Sequence, residues 1–583
     1  MIATLAQSLR QHKKGSLFTI LLSILEVLFD ILIPLCMSNL IDFGVEQGNM
    51  EAVWKYGFLL AVCAMLQLTT GVLSAKLCAK TSAGFAANLR QDMYANVQTF
   101  SFSSIDKFST ASIVTRLTTD VTNIQNAYQM LIRIAIRGPV MMLFAVIVSF
   151  TIHKQISLVF LIVIPIMAVL LVMIITKVNP TFTKVFRTYD DLNNIVQENV
   201  RGIRVVKSFN QENGETDKFK GISQKIYQGY TKGEKLLALN SPIMQFFMYA
   251  CMILISWLGA KAIISSGNNP DSGLTAGNLT ALINYASQIL ISLMMLSMVF
   301  AMMTIAISSA QRAAELLNEK TDIANPENPV MEVRNGAIDF NDVSFVYASK
   351  ADKKVLDHID LHFRSGETIG ILGGTGSSKS SLVQLIPRLY DVTEGSVMVG
   401  GVDVRKYDLS VLRNSVAMVL QKNELFSGTI AENLRWGNQD ATDAEIRHAC
   451  QLACADEFIQ SFPNRYETHI EQGGANVSGG QKQRLCIARA LLKKPKVLIL
   501  DDSTSAVDTR TDAAIQKSFA EYIPETTKII IAQRVSSVQY ADQIVVLDDG
   551  RVIAVGKHDD LLKTCDIYRE VYESQQKGDS DNG

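Results

Sequence analysis

A loop rich in glycine and serine carries the strongest chemical signal in the sequence. It reads GGTGSSKS, follows the apolar run 368–372 and precedes a helical stretch at 381–390. The backbone N–H groups of such a loop wrap phosphate oxygens, and the following helix adds a favourable dipole. The order strand, loop, helix predicts a phosphate-binding loop. The residues expected to hold a nucleotide here are Gly373, Gly374, Thr375, Gly376, Ser377, Ser378, Lys379, Ser380 and Ser381.

Individual side chains of this loop predict ATP and Mg²⁺ as cofactors. Lys379 is expected to reach the β- and γ-phosphates, and the Ser380 hydroxyl to ligate Mg²⁺. Asp501 ends the apolar run 497–500, where a carboxylate completes the Mg²⁺ shell. The usual pattern has glycine directly before the lysine, but here it is Ser378. We expect a side chain at this position to tighten or tilt the loop.

The composition indicates membrane segments and excludes a nucleic-acid binder. The 583 residues carry a net charge of −1, without the basic excess that nucleic-acid binding requires. Only 19% of the residues are charged, against about 25% in an average soluble chain. Eight cysteines without a C-x-x-C pair are expected to be buried, reduced thiols. A bilayer span needs about 20 apolar residues, and such stretches lie roughly at 16–41, 54–78, 138–153, 156–178, 237–264 and 279–305.

The distribution of basic residues predicts the orientation of these spans. The connectors 79–137 and 179–236 are rich in Lys and Arg, whereas 43–52 and 264–277 contain neither. By the positive-inside rule the basic connectors, the N-terminus and the C-terminal half are cytoplasmic. Arg137 is the last basic residue of the first connector and is therefore expected on the cytoplasmic side. We expect both connectors to be helices that extend past the membrane, and the short third span to continue as a helix on its N-terminal side.

The chain is expected to divide after the sixth span. Residues 318–336 are polar with two prolines, and short apolar strand runs then alternate with helical stretches. The predicted organisation is a transmembrane domain at 1–318, a linker at 319–336, an α/β domain at 337–575 and a polar tail at 576–583. The fold class is therefore an all-α membrane domain of six helices joined to an α/β P-loop NTPase domain.

Further motifs make the chain similar to one family. The segment VSGGQKQR at 477–484 closely matches the signature LSGGQ-x-Q-R of ABC proteins, just upstream of the strand that ends at Asp501. Segment 471–474 resembles the exporter X-loop and 505–508 the D-loop. In the first half, 109–120 and 199–209 are similar to the two intracellular coupling elements of type IV ABC exporters. The chain thus resembles an ABC half-transporter over nearly its whole length.

The resemblance implies a mechanism and roles for particular residues. Two nucleotide-binding domains meet head to tail, so one chain must pair with a second half-transporter. Tyr347 is then the aromatic residue that stacks on adenine, and Gln421 senses Mg²⁺ and contacts the membrane domain. The signature helix offers its N-terminus to the partner's γ-phosphate through Ser478, Gly480 and Gln481.

Two catalytic positions depart from the family pattern. The glutamate that orients or deprotonates the attacking water is replaced by Asp502, whose carboxylate is set back by about 1.5 Å. The switch histidine is replaced by Gln533, whose amide cannot carry the imidazolium charge. Both changes affect the site on this chain's own P-loop. We hypothesise a heterodimer with one slow, ATP-retaining site. The alternatives are a homodimer with two slow sites and an ATP-gated regulatory membrane protein.

The sequence gives fewer clues to the cargo than to ATP binding. Glu26 and Asp30 share one face of the first span and either favour cationic cargo or lie hydrated or paired near the outer mouth. Methionines at 294–303 line an adaptable wall or fill packing gaps. The expected cargo is a hydrophobic or amphipathic compound, with multidrug efflux as the first hypothesis and lipid, peptide or haem-like export next. The expected location is a bacterial plasma membrane.

Overall fold

The apolar stretches of the N-terminal half form long helices, as predicted. The computed structural model describes residues 1–266, 274–347, 354–374, 376–503 and 507–580. In these residues six helical runs are long and apolar enough to cross a membrane, and they overlap the six predicted stretches one for one. The runs are Arg10–Val45, Met50–Gln98, Thr110–Ile152, Lys154–Phe182, Glu212–Ser265 and Ala276–Asn318.

Most of these helices extend well beyond the length of a bilayer span. In the third run, the helix that contains the apolar part begins at Val121, upstream of that part, which confirms the predicted N-terminal continuation. Short helices lie at the turns between long ones, within or beside the predicted coupling segments. The helices are α1 Ile2–Gln7, α2 Lys13–Asn39, α3 Met50–Gln98, α4 Phe102–Phe108, α5 Thr110–Thr115, α6 Val121–Ile152, α7 Lys154–Arg201, α8 Ile203–Ser208, α9 Glu212–Ala238, α10 Asn240–Ser266 and α11 Ala276–Asn318.

One basic residue lies elsewhere than predicted. The basic pattern predicts a cytoplasmic connector that includes Arg137, but this residue lies within α6 and bonds to two acidic residues of α2. Its Nη1 donates to Glu26 Oε1 at 2.8 Å and its Nη2 to Asp30 Oδ2 at 3.0 Å. Ionised side chains among membrane helices are stabilised by such pairing. The pairing favours a structural role for the two carboxylates over recognition of a cationic cargo.

The chain separates into two compact units at Glu319. The second unit comprises Lys320–Gly583 together with the segment Thr99–Phe108. Within it, Tyr390 Oη donates to Asp106 Oδ2 at 2.8 Å, and the Phe102 ring lies 6.0 Å from the Tyr390 ring. Residues 319–336, predicted as a linker, partly pack into this unit, since Val333 is buried.

Short strands and helices alternate through the second unit, as the sequence predicts. The strands are β1 Ile338–Phe345, β2 Leu356–Phe363, β3 Thr368–Leu372, β4 Glu394–Val399, β5 Val402–Asp403, β6 Val416–Val419, β7 Gly428–Thr429, β8 His469–Ile470, β9 Val497–Asp501, β10 Thr527–Ile531, β11 Gln543–Asp548 and β12 Arg551–Gly556. The helices are α12 Lys379–Gln384, α13 Leu409–Ser415, α14 Ile430–Arg435, α15 Asp443–Leu452, α16 Asp456–Ser461, α17 Gly479–Leu491, α18 Thr509–Tyr522, α19 His558–Thr564 and α20 Asp566–Ser580.

The largest sheet of the unit has the strand order β12-β11-β3-β10-β9-β6, and only β12 pairs antiparallel. The other sheets are an antiparallel β2-β1-β4-β5 sheet and a short antiparallel pair of β7 with β8. Every residue of β9 is buried. Val497 and Ile499 join one apolar core and Leu498 and Leu500 the other. A strand covered on both faces is continuously apolar, which explains why the sequence signal of β9 was so clear.

Candidate nucleotide-binding site

The parallel sheet brings four distant segments of sequence to one edge. Strands β3, β10, β9 and β6 are consecutive neighbours and run in the same direction. The P-loop follows β3, Gln533 follows β10, Asp501 ends β9, and Gln421 follows β6. Because parallel strands present their carboxyl ends at the same edge, these residues meet where α/β sheets bind ligands.

A cavity of about 300 Å³ lies at this edge. Its lining contains ten residues that the sequence analysis singled out, and Ile531 at the end of β10 joins them. Gly373 and Gly374 take part through their backbone, as described next, while Thr375 lies outside the described residues. The lining residues are Gly376, Ser377, Ser378, Lys379, Ser380, Ser381, Gln421, Asp501, Asp502, Ile531 and Gln533.

Lys379 closes the P-loop on itself. Its Nζ donates to Gly373 O at 2.6 Å and Gly374 O at 2.8 Å. Burial lowers the pKa of the Lys379 ammonium, whereas the charges of Asp502 and Asp501 act to raise it. A side chain at Gly373 is excluded, because a Cβ there would lie 2.2 Å from Leu547 O. The Lys379 ammonium thus lies beside the backbone N–H groups of the loop. Both are groups that bind phosphate oxygens.

Ser378 adopts the conformation that explains the family's glycine at this position. Its φ is +70° and its ψ is 19°, in the left-handed region, and it occupies the N-cap position of α12 without a side-chain cap bond. A non-glycine residue there costs roughly 1–2 kcal/mol in backbone strain. The serine therefore bears the backbone strain of a left-handed turn, and the tightening or tilting of the loop stays a prediction.

Ser380 and Asp501 form the oxygen pair expected to ligate Mg²⁺. The Ser380 hydroxyl donates to Asp501 Oδ1 at 3.0 Å, and the Asp501 side chain is buried at the end of β9. Burial raises the pKa of Asp501, the Ser380 bond opposes that shift, and the charge of Asp502 adds to it. A hydroxyl and a carboxylate beside a phosphate-binding loop fit Mg²⁺, which binds through one or two carboxylates together with substrate phosphates.

The two altered catalytic positions contact each other. Gln533 Nε2 donates to Asp502 Oδ2 at 3.1 Å, and Gln421 Nε2 lies 3.5 Å from the same oxygen. Asp502 itself has a positive φ of 49°, so the turn after β9 directs its short side chain towards these amides. The three residues therefore form one polar cluster on the cavity wall.

Tyr347 lies in an aromatic cluster of the second unit. Its hydroxyl is 2.7 Å from Ser381 Oγ, and its ring packs edge-on against Tyr390 at 5.1 Å. The side chain is 43% exposed, which leaves surface for stacking on a base. Tyr390, which also bonds to Asp106, was missed by the sequence analysis, because no motif marks a tyrosine that joins these two segments.

The signature residues lie apart from the cavity lining. Ser478 caps α17 through a reciprocal pair of bonds, Gln481 N to Ser478 Oγ at 3.3 Å and Ser478 N to Gln481 Oε1 at 2.9 Å. Ser478 is exposed and Gly480 is half-buried, so the positive end of a 13-residue helix faces outward. Gln481 is thus committed to the cap. Of the predicted D-loop 505–508, residues 505 and 506 lie outside the described residues.

Comparison with known proteins supplies the family. The sequence model described as ABC transporter transmembrane region matches residues 16–294, and the model described as ABC transporter matches residues 356–505. An uncharacterized ABC transporter ATP-binding protein of Bacillus subtilis, YfiB, is 34% identical over 95% of each chain. The chain belongs to the ABC transporter family. An uncharacterized relative from Mycobacterium tuberculosis is 33% identical over 99% of this chain and 98% of its own.

Two further matches concern the fold of this ABC transporter and a relative with a named cargo. The solved structure of a bacterial Atm1-family ABC exporter with ATP bound superposes with a TM-score of 0.82, covering 97% of this chain and 99% of that one at 24% identity. The ATP-dependent lipid A-core flippase of Desulfotalea psychrophila is 32% identical over 84% of each chain. The transporter is therefore a membrane protein with an exporter fold, and its ATP-binding domain couples ATP hydrolysis to transport.

Proposed function

We propose that this ABC transporter is one subunit of a heterodimeric exporter that moves hydrophobic or amphipathic compounds outward across the plasma membrane. The N-terminus and the nucleotide-binding domain lie in the cytoplasm. The composite site on this chain's P-loop holds ATP and turns it over slowly. The other site, completed by this chain's signature, performs rapid hydrolysis with a glutamate and a histidine from the partner.

The observation that carries this proposal is the Asp502–Gln533 pair. In the family the two positions orient the attacking water and contact the γ-phosphate. Here the carboxylate is one methylene shorter and accepts a hydrogen bond from an uncharged amide at 3.1 Å. A displacement of about 1 Å costs on the order of 100-fold in rate. The residues that hold phosphates and Mg²⁺, Lys379, Ser380 and Asp501, are those the family uses. Binding is thus preserved where hydrolysis is weakened.

Bound Mg²⁺ supplies charge neutralisation at the phosphates. The chain's own residues position it: Ser380 and Asp501 through oxygen, with Gln421 beside them on the cavity wall. Lys379 exchanges its bonds to the P-loop carbonyls for bonds to phosphate. At the opposite site the N-terminus of α17 stabilises charge on the partner's nucleotide.

The proposed cargo rests on weaker support. The flippase among the relatives is named for a lipid, and the methionines Met294, Met295 and Met298 are exposed on α11 of the single chain. Flexible thioether side chains suit a wall that adapts to several apolar ligands. Amphipathic compounds, including lipids and drug-like molecules, are therefore the proposed class.

The test compares this chain alone with the chain co-purified with its nearest-encoded half-transporter, both in lipid nanodiscs. We expect little Mg²⁺-dependent ATPase activity alone and robust activity in the pair. Within the pair, Lys379→Ala is expected to leave a measurable fraction of the rate, because it disables only the slow site. Ordinary turnover by this chain alone would overturn the heterodimer in favour of a homodimeric pump. Normal ATP binding without hydrolysis or transport in either sample would favour a regulatory membrane protein.

A further inference from the structure

The loop after β10 carries Gln533, and the side chain of Gln575, near the end of the chain, hydrogen-bonds to its backbone. Gln575 Nε2 donates to Gln533 O at 2.9 Å, and Gln575 Oε1 accepts from Val535 N at 2.9 Å. A glutamine amide offers one donor side and one acceptor side, so it satisfies both backbone groups at once. These bonds fix the backbone of the residue whose side chain contacts Asp502.

Gln575 belongs to a helix that is anchored independently of these bonds. Tyr568 of α20 is fully buried, and its hydroxyl lies 2.8 Å from His558 Nδ1. The ring of Tyr572, one turn further on, packs against the His558 ring at 5.1 Å. Tyr568 and Val535 belong to the same apolar core. The amide of Gln575 is therefore presented to the loop by a packed helix.

The far side of the loop is held by another helix. Ser537 Oγ donates to Asp512 Oδ2 at 2.9 Å, and Asp512 lies in the first turn of α18. The loop also has apolar anchors, since Val535 and Val538 are buried. Gln533 itself is exposed at the cavity, so its place depends on the backbone that Gln575 holds.

We infer that Gln575 is a positioning residue for the P-loop site, through which the C-terminal helix α20 controls how firmly ATP is retained. Because Gln575 fixes the Gln533 backbone, the Gln533 amide stays hydrogen-bonded to Asp502. The same amide then faces the expected position of the γ-phosphate. The inference rests on the proposed function in one respect: ATP at this site is held for long enough that its release can be altered. The bonds themselves are near the surface and add modestly to stability, but a shift of about 1 Å at the site has a large effect.

The experiment uses the full-length chain in nanodiscs and a fluorescent ATP analogue labelled on the ribose, with Mg²⁺. Release is followed by stopped-flow chase for wild type, Gln575→Ala, Gln533→Ala and the double variant. The matched control is Gln576→Ala, because the neighbouring Gln576 amide donates to Tyr572 Oη at 2.6 Å. We expect Gln575→Ala to speed release about fivefold, the effect of roughly one net hydrogen bond, and Gln576→Ala to leave it unchanged.

The double variant separates positioning from general stability. If Gln575 acts through Gln533, removing both is expected to equal removing Gln533 alone. Additive effects, or a Gln575→Ala rate equal to wild type, would overturn the inference.

Hydrogen exchange of the peptide spanning 531–539 tests the role of Gln575 independently of the proposed function. Gln575→Ala is expected to speed exchange at the Val535 amide severalfold whether or not nucleotide is present, and Gln576→Ala is not. Unchanged exchange overturns the inference. Failure of the wild-type chain to retain the labelled ATP, with exchange altered as expected, overturns only the slow-site proposal.

Discussion

The nucleotide-binding domain offers two ATP-facing surfaces, and they differ in how closely they keep the family pattern. On the P-loop surface Ser378, Asp502 and Gln533 all depart from it. On the signature surface 477–484 the only change is Val477, and the helix cap at Ser478 is complete. Both surfaces belong to one folded unit. The departures are therefore specific to one site and do not reflect a weakened fold.

The altered residues also separate two tasks within the P-loop surface. Lys379, Ser380 and Asp501, which would hold phosphates and Mg²⁺, keep the usual residue types. Ser380 bonds to Asp501, and Lys379 bonds to the carbonyl oxygens of the P-loop. The residues that would arrange water at the γ-phosphate are the ones replaced. Binding requires charge and backbone N–H groups, whereas hydrolysis also requires placement to within about 1 Å. The P-loop surface therefore keeps the groups that bind ATP but has lost the residues that place water for hydrolysis.

The largest expected effect comes from the intact surface. In the co-purified pair, Ser478→Ala is expected to lower ATPase activity by about 100-fold or more, because a donor aimed at developing charge is lost from the hydrolysing site. The measurement is steady-state ATP hydrolysis in nanodiscs.

Thr442→Ala is the matched control for this variant. Thr442 caps α15 with Glu445 by the same reciprocal bonds that join Ser478 to Gln481. It is expected to lose about 1 kcal/mol of stability with little change in the rate. Equal loss of activity in the two variants would mean that the Ser478 cap matters only for folding.

A smaller effect is expected from repairing the P-loop surface. The double change Asp502→Glu and Gln533→His is expected to raise hydrolysis by this chain alone by roughly 100-fold, since it restores the reach of the carboxylate and a chargeable ring. Single-turnover hydrolysis of bound ATP measures it. Gln533→His alone is expected to give a smaller gain, because the carboxylate stays short. No gain from the double change would show that the slow site is limited elsewhere.

The P-loop and Asp501 could be predicted from the sequence because their signals are local, whereas the roles of Gln421, Asp502 and Gln533 came from the resemblance to the family. Each segment of the site directly follows a short apolar strand, and parallel pairing then brings the segments together without further information. The six membrane helices were predictable for a similar reason, since hydropathy needs only a window of about 20 residues.

Contacts between distant side chains were not predictable in this way. The charge of Arg137 predicts a connector, but no local pattern identifies Glu26, 111 residues away, as its partner. Gln575 lies 42 residues beyond Gln533, at the predicted end of the α/β domain, where no motif marks it. In both cases the missing information is tertiary pairing, which a single sequence does not encode in any local pattern.

The smallest expected effect tests whether the strain at Ser378 contributes to the difference between the two surfaces. Ser378→Gly removes a left-handed serine at φ +70°, so it is expected to stabilise the domain by roughly 1 kcal/mol. Arg465→Gly is the matched control, because Arg465 has a φ of 48° and is exposed outside the cavity lining. Thermal unfolding is expected to shift upward in both variants, whereas ATP affinity is expected to rise only in Ser378→Gly. If affinity is unchanged there as well, Ser378 is a tolerated substitution, and the slow site is defined by Asp502 and Gln533 alone.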